Sequence, residues 1–216
     1  MNPPDPGAVL SMWAAGLSAA VAMVATWKVA RPGFILLGTS VAAGIGTLAA
    51  PAGAGWWAAV AALISLLAIY LRISRWAAMP LAGSALLWLD AAHLPWSWWI
   101  VISGAVALGG VTSEMLLGHW YLVDPKLPRR SLKILAVIGA VGIAVDTVLM
   151  QVFAVDTSVI SPAVLIGLGV TTMTLMVGVW FSLQVPSYTG VMAATGLSYL
   201  ATLTGLGAVV IGRAVI

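Results

Sequence analysis

Glu114 and Asp146 are the two acids that fall clearly inside long apolar stretches of this 216-residue chain. An ionisable group at a transmembrane helix centre costs about 2.5–3.5 kcal/mol on insertion scales, so each is first a candidate for function. Proton or cation relay is the chemistry such carboxyls perform. Each is expected to be protonated or hydrogen-bonded to a neighbouring helix rather than a bare charge. Glu114 lies near the inner end of its stretch and Asp146 in the outer half of the next, roughly 10 Å or more apart in depth. They are not expected to form a paired-carboxylate site.

The densest polar cluster is Glu114, His119, Trp120 and Tyr121, followed closely by Asp124, Lys126, Arg129 and Arg130. Glu114 and Tyr121 are seven residues apart and share a helix face, with Gly118 leaving space between them. Gln184, Ser187 and Tyr188, in the last interhelical turn, are expected at the same level. Acid, imidazole, phenol and indole above a row of cations could hold the headgroup of a quinone or a lipid. The competing reading is a helix that ends in an interfacial belt, with Lys126, Arg129 and Arg130 meeting lipid phosphates.

Other chemistries lack their residues. The two histidines, His93 and His119, lie at opposite ends of one apolar stretch, separated by roughly 35 Å of helical rise. Bis-histidine haem within one chain is therefore excluded. Zinc needs three or four close ligands, which these residues do not supply, so no metal site is expected. The chain has no cysteine, which removes thiolate catalysis, disulfides and Cys-ligated clusters. HExxH, GxSxG and P-loop motifs are absent, and no lysine follows Lys133 to form a retinal-type Schiff base.

The elements that must position these groups are apolar helices. The chain is 62% hydrophobic and 7% charged, with a mean hydropathy of +1.11. A soluble domain carries about 25% charged residues, so lipid is the expected solvent. Unbroken apolarity without period-two alternation excludes a β-barrel. Eight spans are predicted, at about 8–27, 33–50, 56–71, 77–92, 96–121, 131–154, 161–184 and 186–211, forming a single all-α membrane domain. The fourth is short and has Pro80 near its start. The N-terminus has no basic region, so no cleavable signal peptide is expected.

Eight of the nine basic residues sit in three clusters: Lys28/Arg31, Arg72/Arg75 and Lys126/Arg129/Arg130/Lys133. Eight crossings put all three on one side, which the positive-inside rule identifies as the cytoplasm of the plasma (inner) membrane, with both termini outside. Arg213, on the opposite side, is assigned to the C-terminal tail. The net charge of only +3 reads as orientation plus anionic lipid contact, not as a nucleic-acid footprint.

Trp56, Trp57, Trp96, Trp98 and Trp99 fall at the predicted outer boundary, and Trp27, Trp76, Trp120 and Trp180 near the inner one, as interfacial belts. Gly38/Ala42/Gly46 and Gly190/Ala194/Ser198 repeat at four, the spacing of close helix packing within the bundle or at a subunit interface. Segments 82–89 and 193–200 echo each other at an offset of 111, about half the chain, which hints at duplication.

Three functions follow as expectations. The first is a non-catalytic subunit or accessory protein of a membrane complex, such as a respiratory one, contacting quinone or lipid through the Glu114 to Tyr121 cluster. Its partners would be lipids, other membrane subunits or a second copy of the chain. The second is a small-solute or proton-coupled transporter using Glu114 and Asp146, with Thr171, Thr172 and Thr174 lining a path. The third is an intramembrane lipid-modifying enzyme. A water route joining the two acids marks the transporter, capped acids mark the subunit, and a lateral opening beside His119 marks the enzyme. Glu114→Gln is expected to disturb activity or assembly more than Asp146→Asn.

Overall fold

A computed structural model describes residues 5–29, 31–71, 75–93, 97–153 and 162–214. Among these there is no strand. Eight α-helices follow in order: α1 (Pro6–Trp27), α2 (Pro32–Ala49), α3 (Trp56–Tyr70), α4 (Ala78–His93), α5 (Trp98–Val123), α6 (Arg129–Phe153), α7 (Pro162–Ser182) and α8 (Tyr188–Ala214). Six are long and apolar enough to cross a bilayer, α2 being counted with the π-helical turn Ala50–Ala54 that prolongs it. The protein is therefore a membrane-embedded helical bundle. α3 and α4 have 15 and 16 residues. At 1.5 Å per residue they reach about 24 Å, short of a core about 30 Å thick.

The helix ends follow local rules. Asp5 caps α1, its carboxylate accepting from Gly7 N at 2.9 Å and Ala8 N at 3.4 Å, with Pro6 opening the first turn. Lys28 closes α1 in the left-handed conformation, φ 56°, donating its N–H to the Ala25 carbonyl. Pro32 and Pro162 open α2 and α7, where the missing N–H costs nothing. Pro80 likewise falls in the first turn of α4. Between α2 and α3 the chain turns on Gly53 and Gly55, at φ 125° and 71°, conformations that favour glycine.

The described residues form two compact units, divided inside α5 between Ala105 and Val106. In the first, α1 packs on α2 and α4, and α3 on α2 and α4. Its core holds Met12, Leu17, Phe34, Leu81 and Trp88, all fully buried. Trp88 links three helices: its Nε1 donates to the Ala58 carbonyl of α3 at 3.1 Å, and its ring lies against Gly46 of α2. Gly38 of the same small-residue stripe faces Val21 of α1. That stripe is used inside the unit, which decides between its two expected roles.

In the second unit α7 packs on α6 and α8, and α6 on α8. α5 meets α6 backbone to backbone: a Cβ on Gly110 would lie 2.6 Å from Gly139 N, and one on Gly142 would lie 2.7 Å from Ala107 N. Gly190 sits under the carbonyls of Ser182 and Val185 at the turn into α8.

Two expectations change. Arg213 is not in a tail; it belongs to the last turn of α8 and is 3% exposed. The reason is an acid on another helix, described below. The echo at offset 111 is also out of phase with packing. Leu81, Ser84, Ala85 and Trp88 are buried on α4, and Val191, Ala194, Thr195 and Ser198 on α8, an offset of 110. One residue on a helix is a 100° turn, so the matching letters point in different directions.

The tryptophans expected in the belts divide: Trp27 and Trp120 are only half-exposed, and the Nε1 of Trp120 is buried. Trp56, Trp57, Trp76, Trp98 and Trp99 are exposed, and Trp56 stacks on Trp57 with centroids 3.7 Å apart. Residues 72–74 and 94–96, Arg72 and Trp96 among them, lie outside the described residues, as do the side chains of Arg75 and His93.

Candidate functional site

The second unit holds both in-membrane acids, and each meets α8. Glu114 is fully buried on α5, where Oε2 accepts a hydrogen bond from Ser198 Oγ. Ser198 Oγ also lies 2.7 Å from the Ala194 carbonyl, one turn back on its own helix. Glu114 Oε1 is buried and has no hydrogen-bond partner among the described residues. It faces the space over Gly118, where an added Cβ would lie 3.8 Å from Oε1 and 2.8 Å from Thr195 Oγ1. Gly118 thus makes room for α8 as well as for the carboxyl.

This contact continues as a seam along α5 and α8. Thr202 Oγ1 reaches Met115 Sδ at 3.6 Å, and Tyr199 Oη lies 3.3 Å from His119 Nδ1. Thr195, Ser198 and Thr202 follow at intervals of three and four residues, so they line one face of α8. That spacing was visible in the sequence, and it is the signal by which the seam could have been found.

Asp146 is 3% exposed on α6 and forms a bidentate pair with Arg213, Nη1 to Oδ2 at 2.6 Å and Nη2 to Oδ1 at 2.7 Å. The two partners, Ser198 and Arg213, are fifteen residues apart on α8, or roughly 22 Å of helical rise. The acids therefore sit at separate levels.

The expected inner cluster spreads over several neighbours. His119 is exposed beside Tyr199. Tyr121 is 7% exposed, with the Arg129 guanidinium 5.9 Å from its ring centroid. Arg129, expected at lipid phosphates, donates to the carbonyls of Val185, Pro186 (3.1 Å) and Ser187 (2.9 Å), fastening α6 to the turn before α8. Lys133 Nζ donates to Gln184 Oε1 at 2.7 Å. Trp120 Nε1 is buried without a hydrogen-bond partner among the described residues. Tyr188, Lys126 and Arg130 are exposed.

The threonines proposed for a path are occupied locally. Thr171 and Thr174 are exposed and donate to the carbonyls of Gly167 (2.7 Å) and Val170 (2.8 Å) on their own helix. Thr172 faces inward and bonds to Leu168 O and Thr204 Oγ1, both at 2.8 Å. Among the described residues no three histidine, aspartate or glutamate side chains gather as metal ligands.

Two contiguous grooves run along the outside of α6 and α7, and neither touches Glu114 or Asp146. Compared with protein-family models, with curated proteins and with solved structures, the chain matches none.

Proposed function

We propose that the protein is a non-catalytic subunit or accessory component of a membrane complex. The observation that carries this reading is the engagement of both buried acids by α8 side chains, Asp146 by Arg213 and Glu114 by Ser198. A relay carboxyl must exchange protons or ions with a water path. Here one acid is held in a two-point ion pair and the other under a serine hydroxyl, which suits scaffolding better than transport.

In this reading the chain crosses the inner membrane eight times with its basic turns in the cytoplasm and both termini outside. The short α3 and α4 cross where the bilayer thins locally or where flanking residues reach the interface. The quinone or lipid contact is put at the inner end of α5, where Trp120 Nε1 is a buried donor and His119 and Tyr188 are exposed. Exposed apolar residues such as Val164, Val170, Val177 and Phe181 on α7 leave a face open to lipid or to a neighbouring subunit.

Purification in mild detergent, followed by native mass spectrometry and optical spectroscopy, tests the proposal. Co-purifying polypeptides in fixed stoichiometry, retained by Glu114→Gln, support a subunit. A monomer without partners that carries out proton-coupled solute uptake in vesicles, abolished by Glu114→Gln, overturns it.

A further inference from the structure

The outer face of α6 and α7 carries a groove with two chemically different ends. Its apolar length is lined by Ala136, Val137, Ala140 and Val141 of α6 and by Met176 and Trp180 of α7, with a volume of about 210 Å³. A second hollow of about 270 Å³ continues it past Val137 and Trp180 to Arg130 and Lys133. Ala136 and Ala140 are short side chains beside taller valines, which is why the surface dips there.

We propose that this groove binds a phospholipid, seating one acyl chain along α6 and its anionic headgroup on Arg130 and Lys133. This inference stands apart from the subunit reading, since a transporter could hold the same lipid.

Length supports the assignment. From Arg130 to Val141 the groove follows eleven residues of α6, roughly 16 Å of rise. Half of a hydrocarbon core about 30 Å thick is about 15 Å. The groove is therefore one leaflet deep, with its charged end where headgroups lie.

Charge supports it independently. Arg130 is exposed and makes no hydrogen bond or ion pair among the described residues. Among the described residues Lys133 bonds to the neutral Gln184 amide and to no acid, so two ammonium protons remain for a phosphate. Arg129, one residue away, is already engaged by three backbone carbonyls. Both cations that line the groove are thus available to an anion, and an anionic lipid surface attracts them.

Trp180 provides the reporter. The intact protein is placed in nanodiscs of phosphatidylcholine containing either phosphatidylglycerol or extra phosphatidylcholine with brominated acyl chains. The emission due to Trp180 is taken as the difference between the native protein and Trp180→Phe. Brominated phosphatidylglycerol is expected to quench that emission at least threefold more than brominated phosphatidylcholine at equal mole fraction. The double variant Arg130→Gln/Lys133→Gln should abolish the preference while the protein still melts in one cooperative transition. Ala140→Trp should fill the groove and lower quenching by both lipids.

Equal quenching by the two lipids in the native protein overturns the proposal. So does displacement of the preference by millimolar inorganic phosphate, which would mean an anion site without a chain. The chain has no cysteine, so Val137→Cys introduces a single thiol. High-yield cross-linking of that thiol to a second copy or to another polypeptide would show a protein in the groove and would also overturn it.

Discussion

Arg213 and Asp146, 67 residues apart in the chain, meet through two parallel hydrogen bonds at 2.6 and 2.7 Å with both side chains buried. The pair joins the last turn of α8 to the C-terminal half of α6. It converts the one cation that broke the charge pattern into a structural element. A guanidinium and a carboxylate matched at two points satisfy one another as neither could alone.

Removing one partner leaves a buried charge. Asp146→Asn is therefore expected to destabilise the protein by about 3–5 kcal/mol, read as a fall in melting temperature in detergent. Replacing both residues with apolar ones, Asp146→Leu with Arg213→Met, should recover most of the loss. A double variant as unstable as Asp146→Asn would refute a pairwise role.

Glu114→Gln preserves an oxygen that can accept from Ser198 Oγ, so its effect on melting should be small, within about 1 kcal/mol. Ser198→Ala removes the donor from a buried carboxyl and is expected to cost about 1–3 kcal/mol. Thermal denaturation of the two variants side by side checks the ranking. A larger loss for Glu114→Gln would show that the carboxyl has a further buried partner.

Glycines in this protein divide by what stands over them. Gly110→Ala places a methyl 2.6 Å from the Gly139 backbone and must force α5 from α6. A destabilisation of about 1–3 kcal/mol is expected, as for other overpacked contacts. Gly167 and Gly196 lie within α7 and α8 with open space above them. Alanine at either should stabilise by up to about 1 kcal/mol through helix propensity. Matching melting shifts at Gly110 and Gly196 would contradict the α5–α6 contact.

Arg129 holds the turn before α8 by three carbonyls. A lysine keeps the charge but not the planar fork. Arg129→Lys and Arg129→Ala should therefore both raise the rate of protease cleavage near residues 185–187, by similar factors. Protection retained by Arg129→Lys would mean that charge alone fastens the turn.

Much of the architecture was legible in the chain. Continuous apolar runs of about twenty residues can satisfy their backbone groups in lipid only as helices, so the existence of α1, α2 and α5 to α8 followed from composition and length. Some boundaries followed from proline and glycine, whose effects are local, while the Asp5 cap that starts α1 two residues early was not read from the sequence. Both candidate acids were legible too, because a carboxyl in hydrocarbon is conspicuous against its neighbours.

The partners of those acids were decided by tertiary structure. Ser198 lies on a polar stripe with Thr195 and Thr202, but the stripe does not say which helix it meets, and nothing within one turn of Arg213 marks it as a partner. The assignment of Arg213 to a tail failed for this reason: a cation near a chain end reads as solvated until an acid on another helix is brought to it. The groove beside Arg130 and Lys133 arises in the same way, since a hollow belongs to two helices at once. Local periodicity determines which face of a helix is apolar, while the side chain that will stand opposite depends on how the helices pack.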